Sequence, residues 1–429
     1  MRKSLNLSSS KMFKAVLTLV SLGLFFATST QVLASPASSK RDNATYCPYP
    51  PYPSRSLIAR QSNDGLSFSG SQWIWTSEID STTGFAPVGS RAFRKTFGPP
   101  EGKTPSTLKV AYAVDDIATL FVNGQNIATH NLWFTADTFC VTLKPCMNVI
   151  AFNATNTEGV AALLVTAEVT YTDGSTSRIV SDQSWRASGA SIPDGFEQLS
   201  FDDSSWPLAI GEGAYPNEDF ANYGTIPIAG SDALSLAPAR WIWTNELTTP
   251  GGAVPAAARA FRTTIALPPS QTSASAEVLI VADNQYSLYI NGRFVGTGTS
   301  FQSAQRFSVD NIQGPEVVVA VYGVNGDGPN PNPAGLLASF QFTSKDPSSC
   351  VDCSSETYLF TSSSWKATNG VPSGFEQPGF DDSAWPTTVE EGDVNAGPWA
   401  PITVASADST PGSPLPGAPA GNLIRSSSL

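Results

Sequence analysis

Histidine is almost missing from this 429-residue chain, where His130 is the one imidazole. A Ser-His-Asp or Cys-His nucleophile, or a His-rich metal site, would have to pass through that residue. Charge is scarce too, at 14% of residues, with 24 basic side chains against 36 acidic ones and a net charge of -12. Past the amino-terminal segment no cluster of Lys and Arg interrupts the acidic balance. Nucleic acid and anionic membrane surfaces both need a basic footprint, so neither is expected as a partner. After residue 34 there is no apolar run long enough to span a bilayer. Sparse charge combined with 34 Gly, 33 Pro and 10% aromatics disfavours long helices and suits turn-rich β structure.

What is present begins with Arg2, Lys3, Lys11 and Lys14, the apolar run from Ala15 to Ala27, and Val32-Leu33-Ala34. That order reads as a secretory signal peptide over residues 1–34, cleaved after Ala34, with a membrane anchor as the rival reading of a run short for one. The expected location is therefore extracellular, or in the cell wall. Residues 35–65, rich in Ser, Pro and Tyr, are expected to be a disordered leader carrying a dibasic site at Lys40-Arg41, and residues 405–429 a disordered Ser/Pro-rich tail. Asn43 and Asn153 head N-glycosylation sequons. Five cysteines in an oxidising compartment suggest disulfides. The local pairings are Cys140 with Cys146 and Cys350 with Cys353, leaving Cys47 unpaired or bound to another chain. Cys350-x-x-Cys353 also has redox spacing, but it lies in a Ser-rich loop with no helix pattern behind it.

Internal repetition organises the rest. Trp73-Ile-Trp-Thr76 recurs as Trp241-Ile-Trp-Thr244, and Arg91-Ala-Phe-Arg94 as Arg259-Ala-Phe-Arg262, both at an offset of 168 residues. Val114-Asp115 with Asn123-Gly124 matches Ala282-Asp283 with Asn291-Gly292 at the same offset. Later blocks repeat further apart: Ser184-Trp185 with Ser364-Trp365, Gly195-Phe-Glu-Gln198 with Gly374-Phe-Glu-Gln377, and Phe201-Asp-Asp-Ser204 with Phe380-Asp-Asp-Ser383. Module 1 is placed at 66–222, a linker at 223–233 and module 2 at 234–404.

Each copy reads as short strands between turn residues. Leu108 to Val114 and Ala118 to Val122 pair, as do Glu277 to Val281 and Tyr286 to Ile290, with Asn-Gly closing the second strand as a tight turn each time. Asn148 to Phe152 and Val317 to Tyr322 have the β-branched character of buried strands. The fold class is all-β, with a sandwich in each copy.

The ordered set Trp-Ile-Trp, Arg-Ala-Phe-Arg, Asp before a strand ending in Asn-Gly, Asn148-Val-Ile-Ala-Phe152, Ser-x-x-Trp and Phe-Asp-Asp-Ser-x-Trp, found twice, resembles the galactose-binding-like jelly-roll modules of glycoside hydrolases. Those include the non-catalytic domains of α-L-rhamnosidases and of β-galactosidase-type enzymes. The resemblance implies two tandem jelly-roll β-sandwiches, each with any ligand held by loops at one rim. The superfold also serves as a spacer, so the resemblance alone does not make either copy a sugar binder.

Aromatic faces stack well on sugar rings, yet Trp73, Trp75, Trp185 and Trp206 recur as Trp241, Trp243, Trp365 and Trp385, as packing residues of a shared fold would. Ligand candidates are therefore sought in loops and in what the copies do not share. His130, Asn131, Trp133 and Phe134 follow the first Asn-Gly hairpin, where copy two has Thr299, Ser300 and Phe301. Asp115, Asp116, Asp283 and Asn284 offer oxygens to sugar hydroxyls or to Ca²⁺, with turn capping as the alternative. Asn156 and Glu158 in copy one, with Asn325 and Asp327 in copy two, follow the next buried strand and share that rim. No cofactor is expected beyond a possible Ca²⁺ at Asp115 or Asp283. Phe201-Asp202-Asp203 and its repeat are read as structural corners. The expected function is non-catalytic, lectin-like binding of extracellular or cell-wall glycans. The alternatives are a structural or adhesive extracellular protein linked through Cys47 and, third, a glycoside hydrolase, which needs only two carboxylates.

Overall fold

The Asn-Gly turns set the hairpins. Asn123 and Gly124 have φ of 53° and 88°, and Asn291 and Gly292 have 48° and 75°, the left-handed pair that a two-residue turn between twisted strands demands. Gln198 lies against Gly124 and Gln377 against Gly292, so a Cβ at either glycine would have to push that side chain aside.

The computed structural model describes residues 66–80, 82–189, 191–216, 224–328, 332–346 and 353–423. The signal peptide, the leader with Lys40-Arg41, Asn43, Cys47 and Cys350 lie outside them. The described residues form strands and no helix. Module 1 contributes β1 (Gln72–Trp75), β2 (Gly89–Phe97), β3 (Pro105–Asp115), β4 (Ile117–Val122), β5 (Gln125–His130), β6 (Asp137–Thr142), β7 (Asn148–Asn156), β8 (Ala162–Tyr171), β9 (Thr176–Val180), β10 (Arg186–Ala187) and β11 (Ile210–Ala214). Module 2 repeats the series as β12 (Trp241–Trp243), β13 (Ala257–Ala266), β14 (Ser273–Asp283), β15 (Gln285–Ile290), β16 (Arg293–Gly298), β17 (Ser303–Gln313), β18 (Glu316–Asn325), β19 (Gly335–Lys345), β20 (Ser354–Phe360), β21 (Lys366–Thr368) and β22 (Val389–Gly392). Two short strands follow, β23 (Thr403–Val404) and β24 (Asn422–Leu423).

Strand order repeats with the sequence. One sheet runs β10-β2-β7-β4-β5, and its counterpart β21-β13-β18-β15-β16 carries β24 at its edge. Facing them, β11-β1-β8-β3-β6 corresponds to β22-β12-β19-β14-β17. Period-two alternation fills the space between each pair of sheets: Leu108, Val110, Tyr112 and Val114 of β3 enter one core, and Val278, Ile280 and Ala282 of β14 another. Trp75, Trp185, Trp243 and Trp365 are fully buried in these cores, while Trp73 and Trp241 are buried on the opposite face of their sheets. Trp206 and Trp385 are half-buried and pack with Phe201 and Phe380. The Phe-Asp-Asp corners are structural: Asp203 and Asp382 accept from the buried guanidinium groups of Arg94 and Arg262 at 2.8 and 2.7 Å.

The structure departs from three expectations. The sandwiches have separate cores but are not separate bodies, because β6 and β20 pair at Thr138 and Glu356 and join the two facing sheets into one of 13 strands. Pairing β6 in this way covers an open sheet edge. The cysteines staple this seam: Cys140 is bonded to Cys353 across 213 residues, instead of the local Cys140–Cys146 and Cys350–Cys353 pairs. Cys146 is also in a disulfide. Spacing favoured local pairs, but β6 and the start of β20 lie side by side. Finally, residues 405–423 of the expected disordered tail form a strap on module 2. Tyr289 Oη donates to Pro419 O at 2.6 Å, Tyr322 Oη to Pro416 O at 3.1 Å, and Leu415 N to Ser287 Oγ at 3.0 Å. The described part of the linker is packed as well, with Ile226 and Ile228 buried against Phe68 and Trp73.

Candidate functional site

In each copy the strand carrying the candidate Asp ends at one rim, and a tight polar turn follows. The peptides Asp115-Asp116 and Asp283-Asn284 are both cis. Asp116 Oδ2 accepts from the N–H and hydroxyl of Thr157 at 2.5 and 2.6 Å, and Asn284 Oδ1 accepts from Gly326 N at 2.6 Å. Burial works to raise the Asp116 pKa, but the bonds from Thr157, together with those from Asp115 and the Glu158 backbone, outweigh it and hold the carboxyl below its ordinary range. These side chains therefore tie the start of β4 or β15 to the loop after β7 or β18. The capping role is realised, and Glu158 and Asp327 stand exposed on the same loops.

Behind each turn lies a buried polar cluster. Asn156 and Asn325 are wholly buried; each amide nitrogen donates to a loop carbonyl, of Ala86 at 2.8 Å or Val254 at 3.0 Å. Each Oδ1 has no hydrogen-bond partner. Asp115 and Asp283 are buried as well. Asp283 Oδ2 accepts from Trp399 Nε1 at 2.9 Å, and the Trp399 ring stacks on Trp241 with centroids 4.5 Å apart. Burial raises the Asp283 pKa against the pull of that indole N–H.

Sequence reasoning missed the acidic partners, Glu212 and Glu391. Opposite β1, the register passes from Trp73↔Gly213 to Ile74↔Gly211. Opposite β12 it passes from Trp241↔Gly392 to Ile242↔Glu390. The residue left over at each bulge is Glu212 or Glu391, re-aimed as bulges do. Burial first, and then the nearby Asp115 charge, push Glu212 up to about 9. Burial likewise pushes Glu391 up to about 8; the Gly251 N–H works against the rise and Asp283 adds to it. Both shifts favour the protonated carboxyl, which can donate through O–H as well as accept. The signal was in the sequence, as Gly211-Glu-Gly213 against Glu390-Glu-Gly392 at the offset of the Phe-Asp-Asp corners.

His130, Asn131, Trp133 and Phe134 belong elsewhere, on a cleft between the two modules. His130 is buried: Nε2 lies 2.9 Å from Thr135 O and Nδ1 3.2 Å from Asp137 Oδ2. Burial pulls its pKa down, but the Asp137 carboxylate, helped by the backbone of Thr135 and Leu132, outweighs that and the net shift is upward. His130 thus anchors the loop. Trp133 is 37% exposed and meets Phe134 edge to face at 5.3 Å. Asn153, the described sequon, is half-buried in the middle of β7. Among the described residues no three His, Cys, Asp or Glu side chains group as metal ligands.

A tandem all-β sandwich protein that repeats a buried polar cluster behind a half-buried rim turn has the build of a binding protein. No family model matches the chain. It is similar to the lectin of Pleurotus ostreatus, at 32% identity over 79% of this chain and 95% of that one, with a TM-score of 0.38. The same lectin solved with GalNAc gives 33% identity, 77% and 93% coverage and a TM-score of 0.36. By that identity, sustained over nearly the whole lectin, the chain belongs to its family; the superpositions add nothing to the assignment. An α-L-rhamnosidase of Streptomyces avermitilis is 30% identical over 151 residues, which is 33% of this chain and only 14% of the rhamnosidase. The rhamnosidase structure from that organism, complexed with L-rhamnose, is 21% identical, with 76% of this chain and 33% of that one covered and a TM-score of 0.33.

Proposed function

We propose that the protein is a secreted, non-catalytic carbohydrate-binding protein that recognises extracellular glycans at the rim turns of its two modules. The observation that carries this reading is the duplicated cluster: Asp115, Asn156 and Glu212 behind the Asp116 turn, and Asp283, Asn325 and Glu391 behind the Asn284 turn. Sugars are recognised by a few placed donors and acceptors in partly enclosed sites, and such groups recur here at one rim in both copies. Kinship with a lectin that binds GalNAc makes GalNAc the first ligand to try, and the rhamnosidase likeness makes L-rhamnose the second.

Asp283, Asn284 and Asn325 are the side chains of copy two with oxygens that could meet Ca²⁺, a cation that takes six to eight of them. Bound there, the ion would supply a hard centre for sugar hydroxyls. Two rims raise avidity on a polymeric or surface-displayed glycan without any new contact. The test is retention of the mature chain on immobilised GalNAc and L-rhamnose, with and without Ca²⁺. Elution by free sugar is the expected result; failure to be retained in either condition overturns the reading.

A further inference from the structure

We propose that Asn153 carries an N-linked glycan, and that this glycan covers on module 1 the outer sheet face that the carboxy-terminal strap covers on module 2. The proposal rests on the secretion part of the reading above and on nothing about the rims.

The two faces match residue by residue. Asn153 stands on β7 between Ala92 of β2 and Thr119 of β4. Tyr322 stands on β18 between Ala260 and Ser287, which match Ala92 and Thr119 at the offset of the first tryptophan blocks. Tyr322 and Ser287 are two of the side chains that hold the strap, and the third, Tyr289, has Phe121 as its counterpart, without a hydroxyl. Thr119 keeps a hydroxyl but pairs it with Thr129 at 2.8 Å. The apolar pair Ala258 and Val324, packed in the cluster that Leu415 and Ala418 join, is replaced by Ser90 and Thr155, whose hydroxyls meet at 2.7 Å. Module 1 has thus exchanged a face built for a peptide strap for one that is polar, with the acceptor asparagine where the strap anchor Tyr322 stands.

The side chain of Asn153 is the group that packing leaves unexplained. Phe152 and Ala154 on either side enter the core, so Asn153 faces away from it. Its Oδ1 is shut away without a hydrogen-bond partner, while Nδ2, the atom that accepts a sugar, is not among the buried unpartnered atoms of the described residues. An unsatisfied amide oxygen costs stability, and a sugar on Nδ2 brings hydroxyl and N–H donors beside it.

The donor is an oligosaccharide linked to a lipid diphosphate. A C–N bond forms between its anomeric carbon and Asn153 Nδ2 as the C–O bond to the diphosphate breaks; the lipid diphosphate leaves with the electron pair and the amide gives up one proton. The attached sugars then lie over Thr119, Phe121 and Ile117. They also crowd the approach to β5, the edge strand whose counterpart β16 is covered by β24.

The experiment is secretion of the full chain from eukaryotic cells, with glycopeptide mass spectrometry and hydroxyl-radical labelling of the folded product. Wild type and Thr155→Ser, which keeps the acceptor sequence, should carry sugar on the Asn153 peptide, and Thr155→Ala should not. Labelling of Ile117 and Phe121 should rise at least twofold when folded wild type is trimmed by endoglycosidase to one sugar residue, while Phe85, exposed on the loop before β2, stays unchanged. A chain in the medium with Asn153 bare overturns the proposal and leaves secretion standing. Sugar on Asn153 with no change in labelling on trimming overturns the covering role, and a chain retained in the cells overturns the proposal and the secretion reading together.

Discussion

Cys140 at the seam edge of module 1 is bonded to Cys353, which immediately precedes the seam strand of module 2, with Cα atoms 5.7 Å apart. A covalent link between distant parts of a chain acts chiefly by restricting the unfolded state. Its 213-residue separation sets a ceiling of about 5 kcal/mol, lowered to the extent that the bond at Cys146 already closes part of the same loop. The double variant Cys140→Ser/Cys353→Ser should unfold earlier in denaturant. Non-reducing peptide mapping of wild type should recover Cys140 and Cys353 in one linked species, and a Cys140–Cys146 peptide would contradict the assignment.

The buried guanidinium groups make a second prediction. Arg262 donates to Asp382, and to the carbonyls of Phe375, Gln377 and Phe380 at 2.7, 3.0 and 3.3 Å. Its removal strips those three carbonyls of their donor and leaves Asp382 to Lys366 Nζ at 3.1 Å, a loss of up to about 3–5 kcal/mol, the range for breaking a buried pair. Arg262→Ala should destabilise the chain by that amount in equilibrium unfolding, and Arg94→Ala should do the same in module 1. A loss below about 1 kcal/mol, the usual worth of a surface pair, would contradict it.

His130 provides the pH dependence. Its folded pKa is raised, so the stability it contributes is fully present below the unfolded value of about 6.5 and is lost as pH rises through the folded one. Because the chain holds one histidine, a single imidazole resonance reports this titration. Its midpoint should lie above 6.5, and His130→Gln should remove the loss of stability on the alkaline side. A midpoint below 6.5 would mean that burial outweighs Asp137.

The carboxy-terminal strap can be cut away. Ending the chain at Val404 removes the bonds to Tyr289, Tyr322 and Ser287, each worth about 0.5–1.5 kcal/mol, for a loss of roughly 2–4 kcal/mol. It also uncovers the apolar cluster on which Leu415 and Ala418 pack. The shortened chain should unfold earlier and bind a hydrophobic dye. Unchanged stability would show that the strap is not held in solution.

How much of this was legible in the sequence follows from what periodicity can encode. The two strand sets, the Asn-Gly hairpins and the packing role of the matched tryptophans were readable, because alternation and turn chemistry act within a few residues. The Cys140–Cys353 bond was not, since nothing local says which sheet edge will meet which. The strap escaped for a similar reason: its Pro and Gly content reads as disorder until the hydroxyls of Tyr289 and Tyr322 are seen to hold its carbonyls. Asp116, Asn284, Asn156 and Asn325 are legible as candidates, because each stands at a strand end next to a turn. Glu212 and Glu391 were passed over, although they match between copies, because a bulge is invisible without its partner strand.

The most direct measurement of the central claim is calorimetric titration of GalNAc and L-rhamnose into wild type and the double rim variant Asp116→Ala/Asn284→Ala. These two side chains hold the rim turns without belonging to either core. Saturable binding by wild type, at least tenfold weaker in the variant at an unfolding midpoint within a few degrees, is the result the account predicts. Equal affinity in both proteins would place the sugar away from the rims and contradict it.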